Sequence, residues 1–357
     1  MVAAESKAGS IPVGTDTPSR SYSLWGEIIE PVKPFLERVA SQLADQVHAF
    51  DPEIVPYAQY ALTNQGKQLR PVLVALSAGA TGKVNDSLVS VAVIIEMVHL
   101  ATLVHDDVMD EAEIRRRRPT LAANWGNSIS VLVGDCLFAN ALRLASSFPT
   151  PDVCRAVASA TNTVCSGEIL QTHQRRDFAF SRSQYFKVIE MKTAELFALS
   201  CELGAALAGA TRPGRLALRE YGLALGTAYQ VFDDCLDLFG AEAAAGKSLG
   251  TDLANGKLTL PVLVVLEQGS AVDQAKLRGY VKNWDPGLLS ALQELLDKYE
   301  ARESSRSVIQ SYLESAREAL KSVAESPSRS ALISLTDFVG QQAELLRVRD
   351  ASCSRAI

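Results

Sequence analysis

Two copies of an Asp-Asp-x-x-Asp pattern constrain this chain more than any other feature. The first copy is DDVMD at 106–110, the second is DDCLD at 233–237, and each ends a long apolar stretch with helical spacing. The first and last aspartates of each copy are four residues apart and therefore share one helix face. Like charges at this spacing repel each other unless a cation lies between them. The motifs therefore predict two acidic helix faces that hold a cation.

The predicted cation is Mg²⁺, which binds to proteins through a few carboxylates together with substrate phosphates. The candidate metal ligands are Asp106, Asp110, Asp233 and Asp237. One motif alone would be equally compatible with a solvated acidic helix end. Two motifs, each followed by basic residues, favour metal-dependent diphosphate chemistry.

Helical periodicity covers nearly the whole chain, and the sequence shows neither strand alternation nor a hairpin signal. Proline and glycine separate the helical segments, and no linker divides the chain. The sequence predicts an all-α fold, a single large helical bundle with a central active-site cavity. The bundle is predicted to span 24–346, between a flexible N-terminal tail at 1–23 and a C-terminal tail at 347–357. The predicted helices are 24–50, 53–65, 67–81, 85–109, 125–148, 151–176, 182–209, 213–240, 257–269, 284–302, 304–324 and 328–346.

Charge and composition exclude several classes of protein. The net charge is -6 and the isoelectric point is about 5.4, which argues against a nucleic-acid partner. Charged residues interrupt the apolar runs before they reach the ~20 residues of a membrane span, so no transmembrane segment is expected. The N-terminal residues lack the layout of a secretion signal. The six cysteines form no C-x-x-C pair, which favours a reducing compartment and a cytoplasmic location.

A diphosphate site needs permanent cations, and the chain carries them near both motifs. Lysine and arginine bind phosphate oxygens, arginine through its planar fork. An ordinary surface lysine or a solvated arginine run is the alternative interpretation of each. Glycines near Lys247 also resemble a nucleotide-binding loop, but the spacing is one residue too long and no strand precedes it. The candidate cations are Lys67, Arg70, Arg115, Arg116, Lys192, Lys247 and Lys257.

Over about residues 24–346 the chain resembles the trans-isoprenyl diphosphate synthases of the polyprenyl synthetase family. The resemblance rests on an ordered set of motifs rather than on one. The family usually has glycine after the paired arginines, whereas this chain has Arg117. The motifs are GKQLRP at 66–71, LVHDDVMDE at 103–111, RR at 115–116 with PT at 119–120, GD at 134–135, GEILQ at 167–171, KTA at 192–194, QVFDDCLD at 230–237, GTDL at 250–253 and GKLTLP at 256–261.

The resemblance implies a Mg²⁺-dependent prenyltransferase with about three metal ions per site, a homodimer that condenses isopentenyl diphosphate with an allylic prenyl diphosphate. It assigns two of those ions to Asp106 and Asp110, and the third to Asp233 with Asp237 in support. The catalytic residues implied are Lys192, Thr193, Gln230, Asp106 and Asp233. The allylic diphosphate would be bound by Arg115, Lys192, Thr193, Gln230, Lys247 and Lys257, and isopentenyl diphosphate by Lys67, Arg70, His99 and Arg116.

Product length is predicted from the residues that precede the first motif. Ala101 and Thr102 lie five and four positions before Asp106, and Val98 belongs to the next layer. Small side chains there resemble those of synthases that make products longer than geranylgeranyl diphosphate, and Ala101→Phe is expected to shorten the product. The alternatives are a short-chain farnesyl or geranylgeranyl synthase, or residues that are small only for helix packing.

Two other functions compete with this interpretation. A class I terpene cyclase would share the first motif, but its second motif needs Ser or Thr followed four residues later by Glu. This chain has Asp237 and Ala241 at those positions. A non-catalytic partner subunit would be expected to lose Asp or Lys residues from the motifs, and none is lost here.

Overall fold

The computed structural model describes residues 18–63, 66–240 and 249–346, and in them the chain is almost entirely helical. The α-helices, numbered in chain order, are α1 Pro18–Ile29, α2 Lys33–Ala44, α3 Val55–Leu62, α4 Leu69–Thr81, α5 Asp86–Met109, α6 Leu121–Trp125, α7 Asn127–Ser146, α8 Asp152–His173, α9 Arg182–Ile189, α10 Glu195–Leu207, α11 Arg212–Phe239, α12 Thr251–Ala254, α13 Leu260–Gln268, α14 Ala271–Lys282, α15 Leu289–Lys298, α16 Ala301–Ala319 and α17 Pro327–Leu345. The predicted all-α bundle is confirmed.

The long helix α5 forms the centre of the bundle. It starts at Asn85, whose side chain accepts a hydrogen bond from the N–H of Leu88 and so caps the first turn. Its Val, Ile, Leu and Ala residues are buried around nearly the whole circumference, as expected of a core helix. Helix α5 packs against α2, α4, α7 and α10, while α11 packs against α10 and α16. Both aspartate motifs therefore lie at the ends of core helices.

A π-helical turn, Glu190–Ala194, joins α9 to α10 within the stretch predicted as one helix at 182–209. A π-turn places one extra residue in the helix and is frequent at functional sites. The turn contacts α8 and α11 closely. A Cβ on Gly167 of α8 would lie 2.8 Å from the backbone nitrogen of Lys192, so only glycine allows this approach.

Several local predictions are corrected. Helix α1 begins at Pro18, before the predicted boundary at residue 24. Helix α14 was missed because only half of its residues are apolar. The predicted helix 284–302 breaks at Glu300, which has a φ of +50°. Helix α4 begins at Leu69, so Lys67 does not share a helix face with Arg70 as predicted. Residues 1–17, 64–65, 241–248 and 347–357 lie outside the described residues, so the predicted tails stay untested.

Two described helices, α5 and α7, have the length and apolar content to cross a membrane. Helix α5 is largely buried at the centre of the bundle, and α7 packs along it. Both also contribute residues to the central cavity. Length and composition alone are weak evidence of a membrane span, because core helices have the same properties.

Candidate active site

One large cavity lies at the centre of the bundle, with a volume of about 1180 Å³. It exceeds the ~300–1,000 Å³ of common ligand pockets. Residues of α5, α8, α10, α11 and the π-turn line its walls, and about half of its polar lining residues are charged. The charged lining residues are Lys67, Arg70, Glu96, Asp106, Asp110, Arg115, Arg116, Glu168, Lys192, Asp233, Asp234, Asp252 and Lys257.

The first aspartate motif faces this cavity from the end of α5, with cationic side chains between its carboxylates. The Nζ of Lys192 is 3.5 Å from Asp106, and the Nζ of Lys257 donates to Asp110 at 2.6 Å. Arg175 donates to the other oxygen of Asp110 at 2.9 Å. Burial raises the pKa of Asp110, but Lys257, Lys192 and Arg175 together outweigh burial, and the net pKa is lowered. Asp110 is therefore ionised at neutral pH.

Lys192 lies at the centre of the acidic cluster. Its ammonium forms ion pairs with Glu168 and Asp106 and donates a hydrogen bond to Gln171 at 3.0 Å. Burial alone would lower the pKa of Lys192, but Asp106, Glu168 and Asp110 together outweigh burial and raise it. Lys192 therefore carries a permanent positive charge beside the first motif.

The second motif divides into three different environments. Asp233 lines the cavity. Asp234 is buried and accepts hydrogen bonds from Tyr185 at 2.5 Å and Gln230 at 2.8 Å. Asp237 is fully buried outside the cavity lining, where it accepts from the backbone N–H groups of Thr251 and Asp252. The carboxylate of Asp237 thus caps the start of α12 instead of lining the cavity, and its supporting role in metal binding stays a prediction.

A separate group of cationic side chains lies nearer the start of α5 than the first aspartate motif. This second cationic group contains all four residues assigned to isopentenyl diphosphate. Lys67, Arg70, His99 and Arg116 all line the cavity there, around the buried Glu96. The Nε of Arg70 is buried without a hydrogen-bond partner among the described residues. Burial, reinforced by Arg70 and Arg116, holds the pKa of His99 well below its usual range, so the imidazole is neutral. These positive charges and the buried donor suit an anionic ligand.

The arginine run forms a hairpin that the sequence did not predict. Two-residue strands, Ile114–Arg115 and Arg118–Pro119, pair in antiparallel register. The two residues between them, Arg116 and Arg117, have φ values of +50° and +62°, as in the tight turns that favour Asn-Gly. The guanidinium of Arg116 packs on Gly66, where a Cβ would lie 2.5 Å from it. The turn therefore aims Arg116 into the cavity.

Arg117→Gly is expected to raise the free energy of unfolding by about 1 kcal/mol, because a left-handed backbone costs an L-residue ~1–2 kcal/mol and glycine almost nothing. Chemical denaturation monitored by circular dichroism measures the change. Arg118→Gly is the control. Arg118 lies in a strand, and its guanidinium stacks over the ring of Tyr60, 4.6 Å from the ring centroid. This substitution should therefore lower the stability of the protein. Equal effects of the two substitutions would contradict the strained-turn interpretation.

The three residues predicted to set chain length have different positions. Thr102 lines the cavity, and its hydroxyl donates to the carbonyl of His99 at 2.7 Å. Ala101 and Val98 are buried in the core and do not line it. At about 100° per residue, Thr102 lies about 40° around α5 from Asp106, whereas Ala101 lies about 140° away. Of the three residues, only Thr102 can therefore contact a ligand in the cavity.

Comparisons with known proteins agree with the geometry of the cavity. The family model described as "Polyprenyl synthetase" matches residues 51–298. The chain belongs to the polyprenyl synthetase family. It is therefore an isoprenyl diphosphate synthase, a prenyltransferase. This confirms the resemblance inferred from the ordered motifs.

Relatives and solved structures of the polyprenyl synthetase family cover most of the chain. A short chain isoprenyl diphosphate synthase of Methanothermobacter thermautotrophicus is 31% identical over 88% of this chain and 98% of its own. The octaprenyl diphosphate synthase of Haemophilus influenzae is 34% identical over 87% and 94%. A Caulobacter crescentus polyprenyl synthase, solved with calcium and isoprenyl diphosphate, superposes with a TM-score of 0.84 at 32% identity over 89% and 97%.

The donor set of the cavity fits the divalent metal that this family uses. Asp106, Asp110 and Asp233 present carboxylate oxygens, the ligands that hard divalent cations prefer. Among the residues that the structure describes, no three carboxylate, imidazole or thiol groups converge into a preformed metal cage. Lys192 and Lys257 lie instead beside the acids. Metal binding therefore requires the carboxylates to exchange ion-pair partners.

Most, but not all, of the site residues predicted from the sequence line the cavity. The cavity brings together every predicted site residue except Asp237, Ala101 and Val98, which lie outside it, and Lys247, which lies outside the described residues. Sequence reasoning missed Arg175 and Tyr185, which carried no local signal, and gave no role to Glu168 although its motif was recognised. Phe138 of α7 also lines the cavity and was not anticipated.

Proposed function

We propose that this enzyme condenses isopentenyl diphosphate with an allylic prenyl diphosphate to give an all-trans polyprenyl diphosphate longer than geranylgeranyl diphosphate. The observation that carries the proposal is a single cavity in which an acidic cluster and a separate cationic group lie at the same helix. Two diphosphates need two such subsites, one rich in metal ligands and one rich in cations.

The allylic diphosphate binds at the acidic cluster, with Lys192, Lys257 and Arg115 around it. All three cations contact aspartates of the first motif or line the cavity beside them. About three Mg²⁺ ions, held by Asp106, Asp110 and Asp233, would neutralise the charge of the departing diphosphate. Lys247 is a further candidate for this role.

Isopentenyl diphosphate binds at the second cationic group, through Lys67, Arg70 and Arg116. The neutral His99 adds a hydrogen-bonding group without adding charge. Binding here holds the isopentenyl double bond beside the allylic carbon, which removes most of the entropic cost of bringing two molecules together.

The residues of the cavity then favour ionisation of the allylic C–O bond. Lys192 keeps its positive charge toward the leaving diphosphate, and preorganised charge of this kind lowers the barrier where negative charge develops. Thr193 and Gln230 present oxygen atoms to the cation that forms. Apolar side chains, including Leu103, Phe138 and Leu196, exclude water from it. The isopentenyl double bond attacks, and a proton leaves to the released diphosphate.

Two observations support a product longer than geranylgeranyl. Thr102, the lining residue one turn before Asp106, is small and leaves the wall of the cavity open there. The relatives include an octaprenyl diphosphate synthase at 34% identity over 87% of the chain. A short-chain relative of similar identity makes a shorter product the second candidate.

Incubation of the purified chain with farnesyl diphosphate, isopentenyl diphosphate and Mg²⁺ tests the proposal. We expect a ladder of diphosphates that extends beyond twenty carbons, resolved by chromatography after dephosphorylation. Products that stop at geranylgeranyl diphosphate would contradict the assigned length. A cyclised hydrocarbon would indicate a terpene cyclase, and the absence of any product would indicate a non-catalytic partner subunit.

We also infer a homodimer and a cytoplasmic location. Helix α7 exposes large apolar side chains, among them Leu132 at 59% exposure, and Ile169 of α8 is 68% exposed. Large exposed apolar side chains of this kind are compatible with an interface. The five described cysteines are unpaired, as in a reducing compartment. Light scattering of the purified protein measures its mass, and a monomer would contradict the dimer.

A further inference from the structure

A chain of hydrogen bonds runs along the wall of the cavity and ends at two buried side chains, Asp234 and Tyr185. The hydroxyl of Thr193 lies 2.7 Å from the Oε1 of Gln230, and the Nε2 of Gln230 lies 2.8 Å from Asp234. The other oxygen of Asp234 accepts from the Tyr185 hydroxyl at 2.5 Å. The four residues come from the π-turn, α11 and α9. Neither Tyr185 nor Asp234 has a role in the proposed reaction so far.

The donors and acceptors of these hydrogen bonds point in one direction as long as the Oδ1 of Asp234 carries no proton. The Oδ1 of Asp234 accepts, so Gln230 must turn its NH₂ group toward it. The carbonyl of Gln230 then faces Thr193, and a carbonyl can only accept. The Thr193 hydroxyl must therefore donate its single proton to Gln230. This direction holds whether Asp234 is ionised or carries a proton on Oδ2.

The direction matters because Thr193 lines the cavity. With its proton committed to Gln230, the Thr193 oxygen turns lone pairs toward the ligand. Lone pairs stabilise a neighbouring carbocation, whereas a hydroxyl proton would repel it. A dipole fixed before the reaction also needs no reorganisation when the charge appears.

We propose that Tyr185 and Asp234 are positioning residues that fix the direction of this chain, so that Thr193 presents its lone pairs to the allylic cation. The inference rests on the proposed prenyl transfer. Tyr185 is the last residue of this series of hydrogen bonds, and within the series its hydroxyl contacts only Asp234. Its buried hydroxyl holds the carboxylate in the position from which it binds the Gln230 amide.

Tyr185→Phe removes the hydroxyl while the ring remains. We expect the single-turnover rate of the first condensation, measured with farnesyl and isopentenyl diphosphates and Mg²⁺, to fall about 10-fold, less than the ~10²–10³ of deleting a group that touches the reacting centre. The KM of each substrate should stay within about twofold, because the diphosphate contacts are unchanged. A residue that only supports folding would lower the thermal midpoint without this split between rate and KM.

Tyr221→Phe is the matched control. The hydroxyl of Tyr221 is equally buried and donates to the carbonyl of Leu332 at 2.7 Å, but Tyr221 does not line the cavity. Its removal should lower stability to a similar degree and leave the condensation rate unchanged. Equal rate losses in Tyr185→Phe and Tyr221→Phe would overturn the inference.

A double-mutant cycle tests whether Tyr185 acts through Thr193. In a Thr193→Val background, which lacks the hydroxyl, Tyr185→Phe should have no further effect on the rate. In a Thr193→Ser background, which keeps the hydroxyl, the 10-fold loss should persist. The inference would be overturned if the rate losses of Tyr185→Phe and Thr193→Val multiplied, or if Tyr185→Phe alone left the rate unchanged. In either case, prenyl transfer by the wild-type protein would still uphold the proposed function. A wild-type chain without prenyl transfer would overturn both.

Discussion

Replacement of Asp106 or Asp233 by alanine is expected to abolish most turnover, with a loss of at least about 1,000-fold in kcat. Each substitution removes a carboxylate that faces the cavity from the end of a core helix. Loss of metal-dependent charge stabilisation costs several kcal/mol, and each 1.36 kcal/mol is worth about tenfold in rate. Steady-state assays at saturating substrates and Mg²⁺ measure kcat.

The helix content of both aspartate variants should stay unchanged in circular dichroism, because both carboxylates line the cavity. Asp86→Ala is the matched control, since Asp86 lies on the same helix as Asp106 but at its opposite end, with its side chain 92% exposed. It should retain wild-type kinetics. Near-wild-type kinetics in both Asp106→Ala and Asp233→Ala would refute the assignment of the metal site.

Thr102→Phe is expected to shorten the product by whole isoprene units. Thr102 lines the cavity one turn before Asp106, so a phenyl ring there would project into the space that a growing chain needs. The overall rate of isopentenyl incorporation should change less than the length distribution, because the charged groups are untouched. Chromatography of the dephosphorylated products measures the distribution.

Two further variants make the product-length test specific. Thr102→Ser keeps the hydroxyl that donates to His99 and should leave the product unchanged. Ala101→Phe, which the sequence favoured, would place a ring into fully buried core packing and should destabilise the protein by about 1–3 kcal/mol. An unaltered ladder in Thr102→Phe would count against this wall of the cavity as the limit on length.

The parts of the site that the sequence predicted are those governed by local spacing. The aspartates at 106 and 110 share a face because they are four residues apart on a helix. Their relative position therefore does not depend on contacts with residues distant in the sequence. The apolar periodicity around them likewise predicted the core helices. The motif order supplied the rest of the site, because residues such as Lys192 and Lys257 carry no distinguishing local signal.

The parts that could not be predicted depend on contacts between distant residues or on backbone geometry. The hydrogen bond of Tyr185 to Asp234 joins residues 49 positions apart. Asp237 shares the motif of Asp233, yet its carboxylate accepts a hydrogen bond from the hydroxyl of Thr251, fourteen residues later. The π-turn at Glu190–Ala194 and the positive φ angles of Arg116 and Arg117 are likewise invisible to periodicity.

Helix α5 carries His99, Thr102 and Asp106 on one side of the same straight segment. Each turn of a helix advances 5.4 Å along its axis, so these side chains lie at fixed intervals along the cavity. A single substitution at Thr102 alters how far a hydrocarbon tail can extend and leaves the charged residues in place. Synthases of this architecture can therefore acquire new product sizes without rebuilding the machinery that makes the bond.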